Sequence, residues 1–572
     1  MTNFEICKIF EEISKILEIK GENVFRIRAY ERAAQTIENL SEDISLLIEE
    51  DRLTDLPGIG KDLSRKIKEI YKTGELKYLQ DLRKTIPDGL LEILDIPSVG
   101  PKTAKMLYEK LKINNVRDLE NAIKKNRLKG LFGIKDKTIE NIQKGIGLLK
   151  RSKERMPLST AVELASYFVD SLEKLPEVKK ISPAGSLRRM KETVGDIDIL
   201  TVSTHPKKIM DVFTKLPQVK QIMAKGETKS SLLTKEDIQV DLRVVESKSF
   251  GAALMYFTGS KNFNIKLRQI AQRKKLKVNE YGIFSVKTKK ENYLAGKTEE
   301  EIFEKLNLDF IDPEMREDNG EIELAAKGEL PSLIELDDLK GDFHVHTNYS
   351  DGRNSVLEIA QAAKKRGYEY IALTDHSQSL RIANGLSIAG LRKKKREIEK
   401  VNKTLKNFTI LYGTEVDIDS KGNLDYKNEI LAECDIVIAA IHSGFRQSKQ
   451  LLTQRIVKAC ENKHVDIIAH PTGRLRGARD PYELDFEEVF KTAKDTGTFL
   501  EINSFPNRLD LNDIHCRQAK EHGIKLAIST DAHAADQLDA IFFGVAVARR
   551  GWLEKKDVIN TLSLKELFKI KK

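Results

Sequence analysis

From residue 341 onward, seven short apolar runs alternate with helical patterns, and six of them carry candidate metal ligands at their ends. The runs are Phe343–Val345, Tyr370–Leu373, Thr409–Tyr412, Ile436–Ile441, Val465–Ala469, Thr498–Ile502 and Lys525–Ile528. Alternation of this kind predicts a parallel sheet closed into a barrel and covered by helices. The C-terminal strand ends of such a barrel converge on one mouth, so residues far apart in sequence become neighbours there. His344 and His346 share one face of the first run and are followed by Asp351; then come Asp375-His376, Glu415, His442, His470, Asp531 and His533. The Glu501/Asn503 strand end offers no obvious ligand. A lone histidine is ordinarily a satisfied core residue, but six at successive strand ends predict a metal centre. His344, His346, Asp351, His376, Glu415, His442, His470, Asp531 and His533 are too many donors for one tetrahedral ion. They fit two or three ions, and imidazole with carboxylate suits Zn²⁺, Mn²⁺ or Fe. Such a centre can make hydroxide at neutral pH and clamp a phosphodiester, so hydrolysis of phosphate esters is the expected chemistry.

The rest of the chain is organised differently. Its 572 residues, 40% hydrophobic and 33% charged, are enough for several cores. No apolar run is long enough to span a bilayer, and the N-terminus reads as an amphipathic helix instead of a signal peptide. The four cysteines are scattered without a CxxC pair, which predicts a reducing cytoplasm and no cysteine zinc site. A net charge of +10 suits a polyanionic partner without proving one. Residues 1–150 read as short helices broken by glycine-bearing turns at Leu56–Lys61, Ile96–Lys102 and Leu131–Lys135. Residues 155–245 read as α+β, with a helix over Ser159–Leu172 and strands at Val178–Ile181, Asp196–Val202 and Ile238–Val245. A helix through Tyr256, another bearing Asn264 and Arg268, and a strand-like Lys277–Val286 follow. Residues 312–340 are acidic and turn-rich.

Within the α+β segment, Gly185-Ser186-Leu187-Arg188-Arg189 precedes Gly195-Asp196-Ile197-Asp198. On a strand, Asp196 and Asp198 project together. Pairing with the strand that carries Asp241 brings three carboxylates close, with no sequence-adjacent lysine to neutralise them. Such a cluster stays ionised only if a cation joins it, and hard oxygen ligands favour Mg²⁺. Two such ions would activate an attacking hydroxyl and stabilise a leaving pyrophosphate.

GSLRR…GDIDIL, QVDLR and YFTGSKNFN…Arg268 resemble family X DNA polymerases. The resemblance implies a nucleotidyltransferase palm in which Asp196, Asp198 and Asp241 bind two Mg²⁺, Asp241 accepting the primer 3′-hydroxyl proton. It implies that Ser186, Arg189 and the backbone at Gly195 hold a deoxynucleoside triphosphate. Tyr256, Phe257 and Gly259 would flank the sugar, and Asn264 and Arg268, on one helical face, would touch the new base pair. Val194 stands where the family has serine, and Lys261 where it has an acidic residue. Leu56–Lys61 resembles a helix-hairpin-helix, whose Gly58, Gly60 and Lys61 would present backbone N–H groups to a DNA phosphate. Gly100 and Lys102 would do so in the second hairpin, where Ser98 replaces a glycine, while Lys135 stands at a glycine position of the third. Lys66 matches the family's Schiff-base lysine and Tyr30 a DNA contact. Arg65, Lys61 and Lys68 are expected to lower the Lys66 pKa, whereas Asp62 stands where the family has a cation; a solvated or phosphate-contacting lysine is the alternative reading.

HVHTNYSDG, LTDHS, GTEVDI, IHSG, AHPTGR and STDAH resemble the PHP (polymerase and histidinol phosphatase) domain, which implies 3′–5′ exonuclease activity. Arg474, Arg476 and Arg479 are candidates for guiding a DNA 3′ end, or are solvated loop residues. The expected architecture is therefore multidomain. Residues 1–80 form a lyase-like helical domain, 81–150 helix-hairpin-helix fingers, 151–246 the palm, 247–312 the thumb, 313–340 a linker and 341–572 a (β/α)7-type PHP barrel. The expected function is short-gap filling in DNA repair by a cytoplasmic monomer acting on gapped or nicked duplex DNA. Two rivals stand beside it: a histidinol-phosphatase-like enzyme acting on small molecules, and a non-catalytic DNA-end scaffold.

Overall fold

A computed structural model describes residues 3–38, 44–87, 89–94, 96, 99–129, 131, 134, 137–139, 141–143, 146, 155–286, 292–476 and 478–571. The chain divides into two compact units. One comprises Met1–Met156, Phe168–Gly185 and Gly195–Leu308; the other comprises Pro157–Tyr167, Ser186–Val194 and Asp309–Lys572. No helix among the described residues is long and apolar enough to cross a membrane.

The first unit opens with a helical region whose core includes Ile6, Phe10, Ile13, Leu17, Ala33, Ile67 and Leu107. Helix Lys61–Thr73 shows how local sequence builds it. Leu63, Ile67 and Ile70 recur at helical spacing and are buried. Gly60 caps the start, and Gly74 ends the helix in the left-handed conformation, its N–H bonded to the Ile70 carbonyl. Gly100 repeats the Gly60 cap ahead of helix Pro101–Leu111. Of the second and third hairpins, Pro97, Ser98, Phe132, Gly133 and Lys135 lie outside the described residues.

The palm sheet follows, with strands β1 (Val178–Pro183), β2 (Ile197–Ser203), β3 (Val219–Lys225), β4 (Lys229–Thr234) and β5 (Gln239–Val244). Their order is β1-β2-β5-β4-β3. Only β2 and β5 run parallel, with Asp198 opposite Asp241. β3 and β4 carry no clear strand signal in the sequence. β3 is an almost wholly exposed edge, so it lacks the alternation that a half-buried strand shows. The expected single strand over Lys277–Val286 is a hairpin, β6 (Leu276–Asn279) and β7 (Gly282–Ser285), joined by β8 (Asn292–Ala295). Gly282 sits at φ 151° with no room for a Cβ against Ala295 and Tyr293, which accounts for the break.

The second unit holds seven parallel strands in chain order: β9 (Gly341–Val345), β10 (Tyr370–Leu373), β11 (Thr409–Asp417), β12 (Ile436–Ala440), β13 (Ile467–Ile468), β14 (Phe499–Asn503) and β15 (Leu526–Ser529). The expected run Val465–Ala469 supplies only the two-residue β13. A bridge between Val345 and Ala532 brings the first and last strands together. At the same seam, buried Asn560 donates to the Gly341 and Ile528 carbonyls, both at 2.7 Å, and accepts from Ile528 N at 2.8 Å. The stretch 313–340, expected as a linker, contains helix Glu321–Lys327 and fully buries Arg316 and Glu321. Segment 186–194 also belongs to this unit. Arg189 Nε donates to Glu317 at 3.1 Å, and Arg550 donates to the Arg189 carbonyl at 2.7 Å.

Three hydrogen bonds converge on one buried amide at the seam, so Asn560→Ala should destabilise the barrel. Stranding the strand carbonyls is expected to cost roughly 2–4 kcal/mol, read as a lowered Tm with an unchanged amino-acid set at the mouth.

Candidate active sites

In the palm, strand register assembles the aspartates. Asp198 on β2 faces Asp241 on β5, and Asp196, in the bend just ahead of β2, is close enough for its charge to act on Asp198. Gly185 lies directly behind: a Cβ there would stand 3.0 Å from Asp198 Oδ2, and its φ of +65° also favours glycine. Burial, with the charges of Asp196 and Asp241, pushes Asp198 up to about 7. Enclosure by protein and the Asp241 charge also raise Asp196. Gln239 donates to Asp241 at 2.9 Å, and Lys229 from the neighbouring strand stands 3.8 Å from its other oxygen. Lys229 is a cation that adjacency in sequence did not reveal. It touches one of the three carboxylates and leaves the cluster acidic, as divalent ions require.

The residues expected around a nucleotide lie on two helices. Tyr256 and Phe257, with ring centroids 5.1 Å apart, end helix Phe250–Thr258. Gly259 follows at φ 69°. Asn264 donates to the Tyr256 carbonyl at 2.7 Å, and Arg268 Nε to the Asn264 carbonyl at 3.3 Å. Ser186 and Arg189 fall in the second unit, where Arg189 meets Glu317.

Two expectations for the N-terminal region are corrected. Tyr30 is 2% exposed. Packed edge-on against Phe10 and stacked on Tyr78, it is a core residue and offers DNA no surface. Its ring and that of Tyr78 lie 5.4 and 4.9 Å from Lys66 Nζ, which also bonds to Asp62. Burial alone would lower the Lys66 pKa, but the bonds to Asp62 and Tyr30 outweigh it, and the pKa is raised, not lowered. The neighbouring cations do not act as expected because Arg65 pairs with Asp62 and Lys68 with Asp51.

At the barrel mouth, eight of the nine expected ligands fall into three overlapping groups. These are His346, Asp351, His376 and His533; His344, His346 and Asp531; and His376, Glu415 and His442. His470 joins through Glu415, its Nε2 3.0 Å from Oε1. Fully enclosed donor atoms test whether ions fit. His344 Nε2, both ring nitrogens of His346, His376 Nδ1 and Glu415 Oε2 are buried without a hydrogen-bond partner, a costly state that bound ions relieve. His376 Nδ1 and Glu415 Oε2 are only 2.6 Å apart yet make no hydrogen bond of acceptable geometry. Burial and the neighbouring His376 and His533 push His346 down to about 3, keeping it in the neutral form that binds metals.

Several supporting residues were not evident in the sequence. Glu501, at the strand end thought empty, accepts from His344 Nδ1 at 2.7 Å and from the His470 backbone at 2.6 Å. Asp417 pairs with His442 Nδ1 at 3.1 Å. A carboxylate on one ring nitrogen turns the other toward the ions. Asp417 was findable, since it lies two residues from Glu415 on the same strand face. Asp375 is spent on Lys394 at 2.9 Å and on Thr347 and Ser350. Arg474 and Arg476 do not point free charge at the mouth, because both engage Glu192. Arg479 donates to the Gly473 carbonyl and lies over Phe445.

The raised acid in the palm has a measurable consequence. The folded state favours protonated Asp198, so its penalty is absent below about pH 4 and fully present above about pH 7. Asp198→Asn should therefore stabilise the metal-free protein at pH 8 by roughly 1–3 kcal/mol, with little effect on Tm at pH 4.

The chain matches family models for a helix-hairpin-helix domain over residues 1–76, a SAM-like helix-hairpin-helix tandem over 90–147, a DNA polymerase beta thumb over 253–317 and a PHP domain over 342–505. It is 40% identical over 565 residues to the DNA polymerase/3'-5' exonuclease PolX of Bacillus subtilis, covering 98% of each chain. A probable phosphatase of Thermoanaerobacter sp. is 33% identical over 245 residues, 40% of this chain and 95% of that one. DNA polymerase lambda of Rattus norvegicus is 25% identical over 346 residues, 55% of this chain and 56% of that one. With hairpins, thumb and PHP barrel matched in order, and one relative similar from end to end, the chain belongs to the family X DNA polymerases that carry a C-terminal PHP domain.

Proposed function

We propose that the protein fills short gaps in duplex DNA by nucleotidyl transfer and trims DNA 3′ ends with its PHP domain, working in repair as a cytoplasmic monomer. The register of Asp198 against Asp241 carries the first half. Two Mg²⁺ bound by Asp196, Asp198 and Asp241 would supply the positive charge that favours an ionised 3′-hydroxyl and a departing pyrophosphate. Asp241 accepts the hydroxyl proton. Ser186, Arg189 and the backbone at Gly195 hold the triphosphate, Tyr256, Phe257 and Gly259 bound the sugar, and Asn264 and Arg268 contact the new pair. Gly58, Gly60, Lys61, Gly100 and Lys102 open two helices whose N–H groups meet phosphates without reading bases.

In the barrel, two or three Zn²⁺ or Mn²⁺ ions would supply hydroxide at neutral pH. His344, His346, Asp351, His376, Glu415, His442, His470, Asp531 and His533 hold them, while Glu501 and Asp417 orient His344 and His442.

The two activities should separate by substitution. Asp196→Ala with Asp198→Ala should abolish primer extension on gapped DNA and spare Mn²⁺-dependent 3′ degradation. His344→Ala with His346→Ala should do the reverse. Equal extension by the aspartate variant would overturn the palm assignment, and histidinol phosphate hydrolysed in preference to DNA would overturn the exonuclease.

Lys66 is held here as an ammonium, the wrong form for Schiff-base attack on an abasic site. Borohydride trapping on such a site should be weak at pH 7, grow with pH, and increase several-fold in Asp62→Asn. No trapping from that variant at any pH leaves Lys66 a phosphate contact only.

A further inference from the structure

The strand end without an expected metal ligand leads into a loop whose arginine is ion-paired to a ligand of the barrel site. β14 ends at Asn503, and the chain returns through a short loop closed by the Asn503–Asp510 bridge. Asn503 Nδ2 donates to Glu501 and to Asp531, each at 3.1 Å, which ties the loop to a metal ligand. Arg476 N donates to the Asn507 carbonyl at 2.7 Å and braces the loop from the other side. Arg508 stands on this loop with Nε 3.2 Å from Asp531 Oδ2. Among the described residues it is the only arginine or lysine ion-paired to any of the nine ligands.

A guanidinium has five N–H donors in a rigid fork. The Nη1 of Arg508 is buried without a hydrogen-bond partner, and Asp531, to which Arg508 pairs, lies 3.2 Å from the equally unpartnered His346 Nε2. Its side chain retains 16% exposure, so the group is neither sealed in the core nor loose in solvent. A buried charged donor left unmade is expensive unless a ligand completes it. The ligand that such a fork matches beside metal ions is an anionic phosphate. Arg474, Arg476 and Arg479 are otherwise engaged, which leaves this task to Arg508.

We propose that Arg508 grips a non-bridging oxygen of the scissile phosphodiester and stabilises the charge that gathers there as water attacks phosphorus. The P–O3′ bond then breaks, the 3′-oxygen takes a proton, and a 5′-monophosphate leaves. This rests on the reading that the barrel mouth is the exonuclease centre.

The test compares Arg508→Ala and Arg508→Lys with the parent protein, measuring bound Mn²⁺, 3′ degradation, inhibition by inorganic phosphate, and primer extension. Arg508→Ala should keep its Mn²⁺ content and primer extension, lose on the order of 10²–10³-fold in degradation rate, and need at least tenfold more phosphate for inhibition. Arg508→Lys should recover part of both. If Arg508→Ala loses Mn²⁺ and excess Mn²⁺ restores its activity, the residue merely positions Asp531 and the proposal falls; unchanged degradation also overturns it. Should the alanine variant lose primer extension through misfolding, Arg508→Lys carries the test through its phosphate inhibition. A His344→Ala/His346→Ala protein that still degrades 3′ ends would instead remove the exonuclease reading itself.

Discussion

Donor groups that the fold refuses to let disperse govern both catalytic regions. In the palm, a parallel pair of strands fixes Asp198 opposite Asp241, and the backbone ladder prevents either from moving away. The cost appears as an Asp198 carboxyl raised to about 7. In the barrel, Glu415 is fully buried with His344, His376, His442 and His470 all within 3.5 Å. The palm frame holds like charges together and the barrel frame holds buried ring nitrogens without hydrogen-bond partners, and divalent ions would relieve both. The packing of strands and helices provides the force that holds like charges together.

Much of this was legible in the chain. β2 and β5 pair as the apolar runs implied, although Asp196 falls in the bend ahead of β2 and not on the expected strand Asp196–Val202. The seven barrel strands follow in their predicted order because each is an apolar run buried on both faces, a strong signal. What stayed hidden depended on partners distant in sequence. Glu501 looked idle because nothing near it announces His344, 157 residues earlier. Tyr30 looked like a contact residue because its burial comes from Phe10 and Tyr78. The exposed edge β3 had no pattern to read, since solvent on both faces imposes none.

Lys66 illustrates how local charge can mislead. Four cations lie within eight residues of sequence, and counting them suggests a depressed pKa. Pairing decides otherwise: Asp62 takes both Arg65 and Lys66, and Asp51 takes Lys68. Asp62 thus holds the Lys66 pKa up from one helical turn away, against both burial and the surrounding positive charge.

Segment 186–194 has a consequence for the modularity of the chain. It carries Ser186 and Arg189, which sequence assigns to the polymerase, yet its side chains are anchored by Glu317, Arg474, Arg476 and Arg550. All four anchors come from the C-terminal half. A fragment ending near residue 310 would keep every palm aspartate but strand Glu192 and release Arg189 from its counter-charge. A segment that the sequence assigns to the polymerase is thus held within the compact unit that carries the barrel.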